Sequence, residues 1–261
     1  MRRARVCHEG RALDVEVLDG GAALRLADGQ QLDPARVEWL PPPHGTLIAL
    51  GLNYRDHAAE LDFKPPADPL LFLKTPSCVT GHLQPCCRPD GVQNMHYEGE
   101  LVAVIGRTAR HVPRAEAMSC VGGYTVCNDF AVRDYLENYY RPGLRVKCRD
   151  SLTPLGPWIT DARDVGDPHA LGVRTWVNGE LRQDGNTRDF VFDIPFLIEY
   201  LSSFMTLRPG DMISTGTPQG VSNVMPGDEV AVEVEKVGRL VNRIVSETEY
   251  DALCEARVQG R

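Results

Sequence analysis

The chain has 261 residues, of which 43% are hydrophobic and 25% charged, which suits one large globular domain, alone or with a small appendage. Its formal net charge of −8 argues against nucleic acid or an anionic membrane as the main partner, so an anionic substrate would need a local cation. The basic N-terminus has no apolar segment behind it, and no stretch approaches the roughly 18 apolar residues of a membrane span, so we expect a cytoplasmic protein.

The first forty residues predict a small β-meander. Hydrophobic residues alternate weakly there around turns at Gly20-Gly21 and Asp28-Gly29, and the segment ends at three consecutive prolines. We predict two units, a small N-terminal β region over residues 1–43 and a larger domain over 44–261 that holds the candidate site.

Strand signals continue through the larger domain. The strand candidates are residues 46–52, 70–76, 175–183 and 229–237. Asn178-Gly179 between β-rich flanks is a strong hairpin signal, and Gly238 follows the last candidate as a turn.

Helices are fewer. The clearest covers residues 193–207, with Asp193 as N-cap and Pro195 in the first turn. Its apolar stripe consists of Ile194, Leu197, Ile198, Leu201 and Met205. A shorter helix is predicted from Arg114 to Cys120, and another begins near Val132. Because strands dominate and do not alternate regularly with helices, we predict an α+β, mainly β architecture rather than a Rossmann type.

Three acidic residues are the main candidates for chemistry: Glu98 and Glu100 in HYEGEL, and Asp129 in CNDFAVRD. Glu-x-Glu in a strand places both carboxylates on one face, and the apolar run 101–105 favours a buried strand. Buried neighbouring carboxylates repel each other, and a divalent cation with a third carboxylate would relieve this as an all-oxygen Mg²⁺ or Mn²⁺ site. The alternative, which spacing leaves open, is an edge strand with both glutamates in solvent.

Several familiar catalytic motifs are absent from the sequence. It has no G-x-G-x-x-G after a strand, no G-x-x-x-x-G-K-[ST], no H-E-x-x-H and no G-x-S-x-G, so nucleotide cofactors, zinc proteolysis and serine-hydrolase chemistry lack support. The Gly-rich segment 214–221 could present backbone N–H groups to an anion or could be only a tight turn.

The eight cysteines form no C-x-x-C pair and resemble neither a zinc site nor a disulfide framework. We expect free thiols in a reducing cytosol. Cys127, beside Asn128 and Asp129, would suit a nucleophile, but a small buried side chain is the favoured interpretation.

Seven motifs occur in one order that resembles the fumarylacetoacetate hydrolase superfamily. They are GLNYRDHAAEL (51–61), FLKTP (72–76), YEGEL (97–101), CNDFAVRD (127–134), VKCRDSLTPLGP (146–157), GNTRDFVFDIP (185–195) and STGTPQGV (214–221). The stretches RDYLENYYRPGLRVK and FLIEYLSSFMTLRPGD look closer still to one branch. That branch isomerises and decarboxylates intermediates of 4-hydroxyphenylacetate (homoprotocatechuate) catabolism.

The resemblance implies a fold of layered, rolled β-sheets around a central site, usually in a homodimer. It implies a divalent metal, normally Mg²⁺ with Mn²⁺ as the alternative, held by Glu98, Glu100 and Asp129. A 2-oxo acid can chelate such a cation through its keto oxygen and carboxylate, so that the cation stabilises negative charge when a C–CO₂⁻ or a C–H bond breaks. One site could thereby serve decarboxylation and double-bond isomerisation without an organic cofactor.

Further residues carry over from the family motifs. Lys147 would supply positive charge near the reacting carboxylate, although an isolated lysine is more commonly a surface charge. Arg133 would be catalytic or would form a structural salt bridge with a neighbouring Asp. Thr217 would contact the substrate carboxylate. Four arginines are candidates to bind a distal carboxylate, although some should be surface cations: Arg141, Arg145, Arg149 and Arg188.

His57 and Glu60 match a histidine–glutamate pair that family members carry on a mobile lid. Their three-residue separation places them on one side of a helical turn. The histidine would move a proton on carbon, or the pair would simply close the site. Outside this motif, H-x-x-E in a helix is usually a surface ion pair.

Three functions stay open. The favoured one is a Mg²⁺-dependent lyase/isomerase acting on 5-oxopent-3-ene-1,2,5-tricarboxylate and 2-hydroxyhepta-2,4-diene-1,7-dioate. The second is a C–C hydrolase of an acylpyruvate or fumarylpyruvate, against which Leu136 counts because hydrolytic members commonly have Gln there. The third is a non-enzymic binding or assembly module, which would not need the retained charged residues.

Overall fold

The computed structural model describes residues 1–60, 67–136 and 143–259 of the chain. Within these ranges it contains nineteen β-strands and six α-helices. The strands are β1 (Arg2–His8), β2 (Arg11–Leu18), β3 (Ala23–Arg25), β4 (Gln31–Leu32), β5 (Glu38–Leu40), β6 (Leu47–Gly51), β7 (Leu70–Lys74), β8 (Val79–Thr80), β9 (Pro85–Arg88), β10 (Met95–His96), β11 (Gly99–Ile105), β12 (Val121–Asn128), β13 (Ala131–Val132), β14 (Thr153–Asp161), β15 (Gly172–Val177), β16 (Glu180–Asn186), β17 (Met212–Ser214), β18 (Glu229–Val234) and β19 (Gly238–Ser246). The helices are α1 (Arg55–Glu60), α2 (Arg114–Ala117), α3 (Leu144–Lys147), α4 (Ala162–Val165), α5 (Ile194–Phe204) and α6 (Glu247–Gln259).

A large mixed sheet forms the centre of the fold. Its main path runs in the order β4-β3-β2-β1-β14-β12-β11-β17-β6-β7, with β5 beside β1 and β8 beside β14. A second sheet has the order β16-β15-β18-β19-β9, and β10 pairs with β13. Layered sheets with few helices confirm the predicted α+β, mainly β architecture.

The main hydrophobic core lies between the large sheet, the second sheet and α5. Side chains of β11 alternate across the large sheet: Leu101, Ala103 and Ile105 belong to this core, whereas Val102 and Val104 belong to a smaller cluster. Both faces of β11 are therefore buried, which explains the uninterrupted apolar sequence that follows Glu100.

Helix α5 confirms the predicted helix, but it ends at Phe204 rather than at residue 207, so Met205 of the predicted stripe is its C-cap. The carboxylate of Asp193 caps it by accepting a hydrogen bond from the Phe196 N–H at 2.9 Å. The stripe residues Leu197, Ile198 and Leu201 are buried in the main core, so the helical spacing of apolar residues identified the packed face correctly.

Most of the predicted strands are confirmed. The candidates over 46–52, 70–76, 175–183 and 229–237 correspond to β6, β7, the β15–β16 hairpin and β18. Asn178 and Gly179 form the hairpin turn with φ angles of 51° and 81°, the positive values that a type I′ turn requires.

The shorter helices differ from the prediction in extent. The helix predicted over 114–120 is α2 followed by a 3-10 turn over Met118–Cys120. The helix predicted near Val132 is a single 3-10 turn over Arg133–Tyr135, and residues 137–142 lie outside the described ranges. Strands β12 and β14 and helix α6 are absent from the predicted elements. No helix in the described ranges combines the length and apolarity that crossing a membrane demands.

The first forty residues form the predicted meander of β1 to β5 around a cluster that includes Trp39. Strand β1 also pairs with β14, with Arg2 opposite Thr160, and Trp158 of β14 packs into the same cluster. The meander therefore extends the large sheet through β1. The division into units at residue 43 stays a prediction.

Candidate metal centre

The site begins where β11 and β12 pair. Gly99 lies opposite Asn128 in the antiparallel register, which brings Glu98, just before β11, opposite Asp129, just after β12. The Asp129 N–H donates to the Glu98 carbonyl at 2.9 Å. Because β11 pairs with β12 and β17 on its two sides, the alternative of an exposed edge strand is wrong.

The three predicted carboxylates form one buried cluster. Glu98, Glu100 and Asp129 each offer an oxygen, and these oxygens all lie within 4.8 Å of one another. All three residues are buried, and Glu100 is 0% exposed. Hard oxygen donors grouped in this way are the ligand type of Mg²⁺ and Mn²⁺.

Of the three carboxylates, Glu100 has the fewest partners that offset its negative charge. Its Oε2 accepts hydrogen bonds from Ser214 Oγ at 2.5 Å and from the Gly216 N–H at 3.0 Å. Its Oε1 is buried and has no hydrogen-bond partner among the described residues. Burial and the neighbouring Asp129 and Glu98 raise the pKa of Glu100 to about 8.

Glu98 is held by two cations. Lys147 Nζ donates to Glu98 Oε2 at 2.6 Å, and Arg133 Nη2 donates to Glu98 Oε1 at 2.6 Å. Burial opposes the charge of Glu98, but Lys147 and then Arg133 lower its pKa to about 2. Lys147 is thus buried against the cluster rather than a surface charge. Among the described residues, the salt bridge of Arg133 is made with Glu98 rather than with an Asp.

Asp129 is held by two lysines. Lys147 Nζ lies 2.8 Å from Asp129 Oδ2, and Lys74 Nζ lies 2.5 Å from Asp129 Oδ1. Lys74 also donates to the carbonyl of Lys147. Burial opposes the charge of Lys74, but Asp129 raises its pKa above the ordinary value. Lys74 lies within the FLKTP motif, yet no role for it emerges from the sequence.

The residues present fit a divalent cation. Three cationic side chains, those of Lys74, Arg133 and Lys147, make ion pairs with Glu98 or Asp129. In the described part of the chain none of them makes an ion pair with Glu100. The unpartnered Glu100 Oε1 is a buried acceptor within the cluster. A cation held by Glu98, Glu100 and Asp129 would satisfy that oxygen and remove the repulsion that favours protonation of Glu100.

We expect the metal-free protein to lose stability as the pH rises toward 8. A carboxyl with a raised pKa in the folded state contributes stability that is fully present below its unfolded pKa and is lost as the pH rises through its folded pKa. For Glu100 this window runs from 4.5 to about 8, with a slope of at most about 1.4 kcal/mol per pH unit. Urea titrations of chelator-treated protein measure the effect.

Glu98 provides an internal contrast, because its lowered pKa affects stability only as the pH falls from 4.5 toward about 2. Glu100→Gln should flatten the profile between pH 5 and 8 (about the range in which this group titrates) without changing the acid limb. A wild-type profile that rises continuously to pH 8 would contradict the raised pKa of Glu100.

The predicted pair of His57 and Glu60 lies on α1 beside the cluster. His57 Nδ1 lies 3.0 Å from Glu60 Oε2, and Glu60 Oε1 accepts the Gly220 N–H at 3.0 Å. His57 is buried, and after Lys147 and Arg133 it contributes to lowering the pKa of Glu98. The pair therefore joins α1 to the loop after β17, with its histidine buried and its glutamate open to solvent.

Thr217 is fixed by a side chain that has no predicted role, Gln183 of β16. Gln183 Nε2 donates to Thr217 Oγ1 at 2.9 Å and to the Pro218 carbonyl at 2.7 Å. Gln183 Oε1 accepts from Thr175 Oγ1 at 2.7 Å and from the Gly99 N–H at 3.2 Å. One buried amide thus connects the 214–221 loop to the first residue of β11.

Gln183→Leu should destabilise the protein by about 3 kcal/mol, because it leaves buried hydrogen-bonding groups on both segments without a partner. Chemical denaturation followed by circular dichroism measures the change. Gln219→Leu is the matched control, since the Gln219 side chain is exposed, and its effect should stay within about 0.5 kcal/mol. Equal effects of the two substitutions would show that the hydrogen bonds of Gln183 contribute nothing to the stability of the fold.

The loop 214–221 directs an N–H group at a carboxylate of the protein. Gly216, whose N–H reaches Glu100, has a φ of 87°, and a Cβ there would lie 2.9 Å from the Asn53 Cβ. Glycine is required at this position both for its conformation and for the close approach. The two alternatives for residues 214–221 therefore occur together: the segment is a tight turn, and one of its N–H groups binds the carboxylate of Glu100.

The arginine candidates have separate surroundings. Arg188 lines a cavity of about 530 Å³ together with Arg55 and Arg114. Arg145 lies over the ring of Tyr135 at 3.7 Å, Arg149 pairs with Glu247 at 3.2 Å, and Arg141 lies outside the described residues. Binding of a distal carboxylate by any of them stays a prediction.

Cys127, which would suit a nucleophile by its position in sequence, is buried, and burial raises the pKa of its thiol. Both properties are those of a small core side chain, the interpretation that the sequence favours.

The fold and the site together define a β-rich protein with a buried carboxylate cluster of the metal-binding type. The family model "Fumarylacetoacetate (FAA) hydrolase C-terminal" matches residues 46–245. This chain belongs to the fumarylacetoacetate hydrolase family, which confirms the resemblance of its seven motifs.

Three known proteins show how similar the relatives are. The 4-hydroxyphenylacetate degradation bifunctional isomerase/decarboxylase of Salmonella dublin is 66% identical over 209 residues, covering 80% of this chain and 49% of that protein, so the chain spans about half the length of this curated relative. The solved 5-carboxymethyl-2-hydroxymuconate delta-isomerase from Mycobacterium smegmatis has a TM-score of 0.84 and 37% identity over 95% of this chain and 99% of that one. Maleylpyruvate hydrolase from Sphingobium sp. SYK-6, solved with manganese(II) and pyruvate, has a TM-score of 0.81 and 30% identity over 94% and 99%.

Proposed function

We propose that this protein is a divalent-metal-dependent lyase and isomerase of 4-hydroxyphenylacetate catabolism. Its substrates would be 5-oxopent-3-ene-1,2,5-tricarboxylate, which it decarboxylates, and 2-hydroxyhepta-2,4-diene-1,7-dioate, which it isomerises. The identity of 66% over 80% of the chain to the Salmonella dublin enzyme carries the proposal. The carboxylate cluster lies within residues 46–245, which the family model matches.

The metal would be Mg²⁺ or Mn²⁺, held by Glu98, Glu100 and Asp129. When bound, it would supply Lewis-acid stabilisation of negative charge that develops on the keto oxygen of a 2-oxo acid. The raised pKa of Glu100 supports this assignment, because a bound dication would favour its ionised form.

Lys147 would orient the cluster and balance its charge. Its ammonium contacts Glu98 and Asp129 at once, so it fixes the relative position of two proposed ligands. Arg133 holds the other oxygen of Glu98, and Lys74 holds the other oxygen of Asp129. We propose that these fixed cations also attract the substrate carboxylates into an otherwise acidic protein.

His57 would move the proton that isomerisation requires. Glu60 Oε2 can accept from His57 Nδ1–H, which leaves Nε2 as the basic nitrogen that accepts or returns a proton at a substrate carbon. Glu60 also holds the 214–221 loop through Gly220, so the proton carrier and Thr217 of that loop would move together. Thr217 would then contact the substrate carboxylate.

Turnover of the tricarboxylate with added Mg²⁺ or Mn²⁺ tests the proposal. We expect CO₂ release and a change of ultraviolet absorbance as the conjugated chain rearranges, both lost after dialysis against a chelator. His57→Gln should slow the double-bond shift more than it slows CO₂ release, because only the former needs this proton carrier at carbon. Absence of turnover of any 2-oxo acid tried would favour a non-enzymic binding or assembly module.

A C–C hydrolase of acylpyruvates or fumarylpyruvates is the second candidate. The similarity to maleylpyruvate hydrolase and the contact of the buried His57 with Glu60 favour it. Leu136, which is 53% exposed, cannot polarise an attacking water, and this counts against hydrolysis. Release of pyruvate from such a substrate, without CO₂, would identify the hydrolase.

We further propose a homodimer located in the cytoplasm. The eight cysteines without disulfide partners support a reducing compartment. Light scattering of the purified protein should give twice the mass of one chain, and a mass equal to one chain would contradict the dimer.

A further inference from the structure

Two cysteines lie against the end of β7, beside the lysines of the carboxylate cluster. Cys78 ends the 3-10 turn over Pro76–Cys78 that follows β7, and Cys148 caps the C-terminal end of α3. Cys78 Sγ donates to the Thr75 carbonyl at 2.9 Å, and Cys148 Sγ donates to the Leu73 carbonyl at 3.3 Å. Both sulfur atoms therefore lie against the same three-residue segment, Leu73 to Thr75.

The two thiols differ in accessibility and in ionisation. Cys148 is partly exposed, whereas Cys78 is fully buried. The Cys78 thiol lowers the pKa of Cys148 to about 6 against the opposing effect of burial, and Lys74 contributes to the lowering. The same interaction, together with burial, raises the pKa of Cys78. The lowered pKa makes the ionised form of Cys148 available near neutral pH at a sulfur that solvent can reach, whereas Cys78 keeps its proton.

Both cysteines belong to segments that carry cluster lysines. Cys148 directly follows Lys147, and Cys78 lies on the turn that follows Lys74 in β7. Lys74 Nζ bonds to the Lys147 carbonyl, so the two segments are already in contact at the backbone of Lys147. A covalent link between the thiols would act on this contact.

We propose that Cys148 is an oxidative modification site and that Cys78 is its resolving thiol, so that a peroxide converts the pair to a disulfide. The Cys148 thiolate attacks one peroxide oxygen, the O–O bond breaks, and the released hydroxide takes up a proton as water. The resulting sulfenic acid reacts with the Cys78 thiol: the S–S bond forms, the S–O bond breaks, and a second water leaves. Two thiols and one peroxide give one disulfide and two waters.

The disulfide would change the position of Lys147. The two sulfur atoms must approach to about 2.05 Å, and Cys78 loses the proton that it donates to the Thr75 carbonyl. The end of α3 is then drawn toward the turn after β7, and the Lys147 ammonium moves relative to Glu98 and Asp129. Displacements of about 1 Å in a catalytic site can lower turnover about a hundredfold.

The chemical part of the proposal needs no substrate and is tested on the purified full chain. After a limiting amount of hydrogen peroxide, the count of alkylatable thiols in denaturant should fall from eight to six. A proteolytic peptide map should contain one cross-linked pair, Cys78 with Cys148, and dithiothreitol should restore the full count. Where turnover has been established, it should fall and recover in parallel with this thiol count.

Matched variants keep the test decisive. Cys148→Ser and Cys78→Ala should each abolish the cross-link. If the variant at the buried Cys78 does not fold, Cys148→Ser alone tests the proposal. Cys7→Ser, at another partly exposed cysteine, should leave the cross-link unchanged. A sulfinic acid at Cys148 without a cross-link, a cross-link between other cysteines, or an unchanged thiol count would each overturn the proposal.

Discussion

Glu100→Gln is expected to abolish binding of Mn²⁺ and to lower metal-supported turnover by about a thousandfold or more, while the protein stays folded. The amide keeps the shape of the side chain, and its oxygen can still accept from Ser214 Oγ and from the Gly216 N–H. It cannot supply the charge that a hard dication requires. Calorimetric titration with Mn²⁺ and an assay of CO₂ release measure the two losses.

The matched control is Glu229→Gln, the same change at an exposed glutamate at the start of β18, which should alter neither quantity. The metal-free Glu100→Gln protein should also be more stable than the metal-free wild type above about pH 8, because it no longer buries an uncompensated carboxylate. Mn²⁺ affinity equal to that of the wild type would remove Glu100 from the ligand set and would leave the metal centre without its proposed geometry.

The carboxylate cluster could be predicted because its geometry is local. A strand alternates its side chains with period two, so Glu98 and Glu100 had to share a face wherever the strand lay. Whether that face was buried could not be read from the spacing. The pairing of β11 between β12 and β17 decides it, and this pairing depends on residues more than a hundred positions away in sequence.

Lys74 and Gln183, in contrast, belong to the site but could not be predicted from the sequence. Lys74 ends an apolar strand, where a lysine usually marks the point at which the chain reaches solvent, yet its ammonium reaches Asp129 across 55 positions of sequence. Gln183 lies in a hairpin strand among exposed residues and is identified only by the loop that packs on it. No periodicity encodes either contact, because both arise from the packing of one segment on another.

The missed elements have a similar explanation. Helix α6, with the sequence ETEYDALCEARVQ, has no continuous apolar stripe, and period-based reasoning has nothing to detect there. Strands β12 and β14 contain glycines or prolines, which indicate turns when they are read in isolation. In β12, Gly123 has no room for a Cβ, since one would lie 2.7 Å from the Thr160 carbonyl oxygen of β14. The glycine there permits close strand packing instead of a turn.

Lys74→Met is expected to destabilise the metal-free protein by about 3 kcal/mol, because removing one partner of a buried ion pair leaves a buried charge with less compensation. The side chain of Lys74 is 1% exposed, as is that of Asp129, so water cannot replace the lost contact. Met has nearly the same length and no charge, which limits the effect of lost packing. Urea denaturation at pH 7 measures the change.

The same substitution should respond to metal in a direction that a simple packing defect would not. A dication at the cluster compensates the charge of Asp129, so saturating Mn²⁺ should recover more stability in the Lys74→Met protein than in the wild type. Lys236→Met, at an exposed lysine, should show neither the loss nor the larger recovery. If Mn²⁺ stabilised the Lys74→Met protein no more than the wild type, Lys74 would act through packing alone. The ion pairs of the two lysines with Asp129 would then not be what stabilises the site.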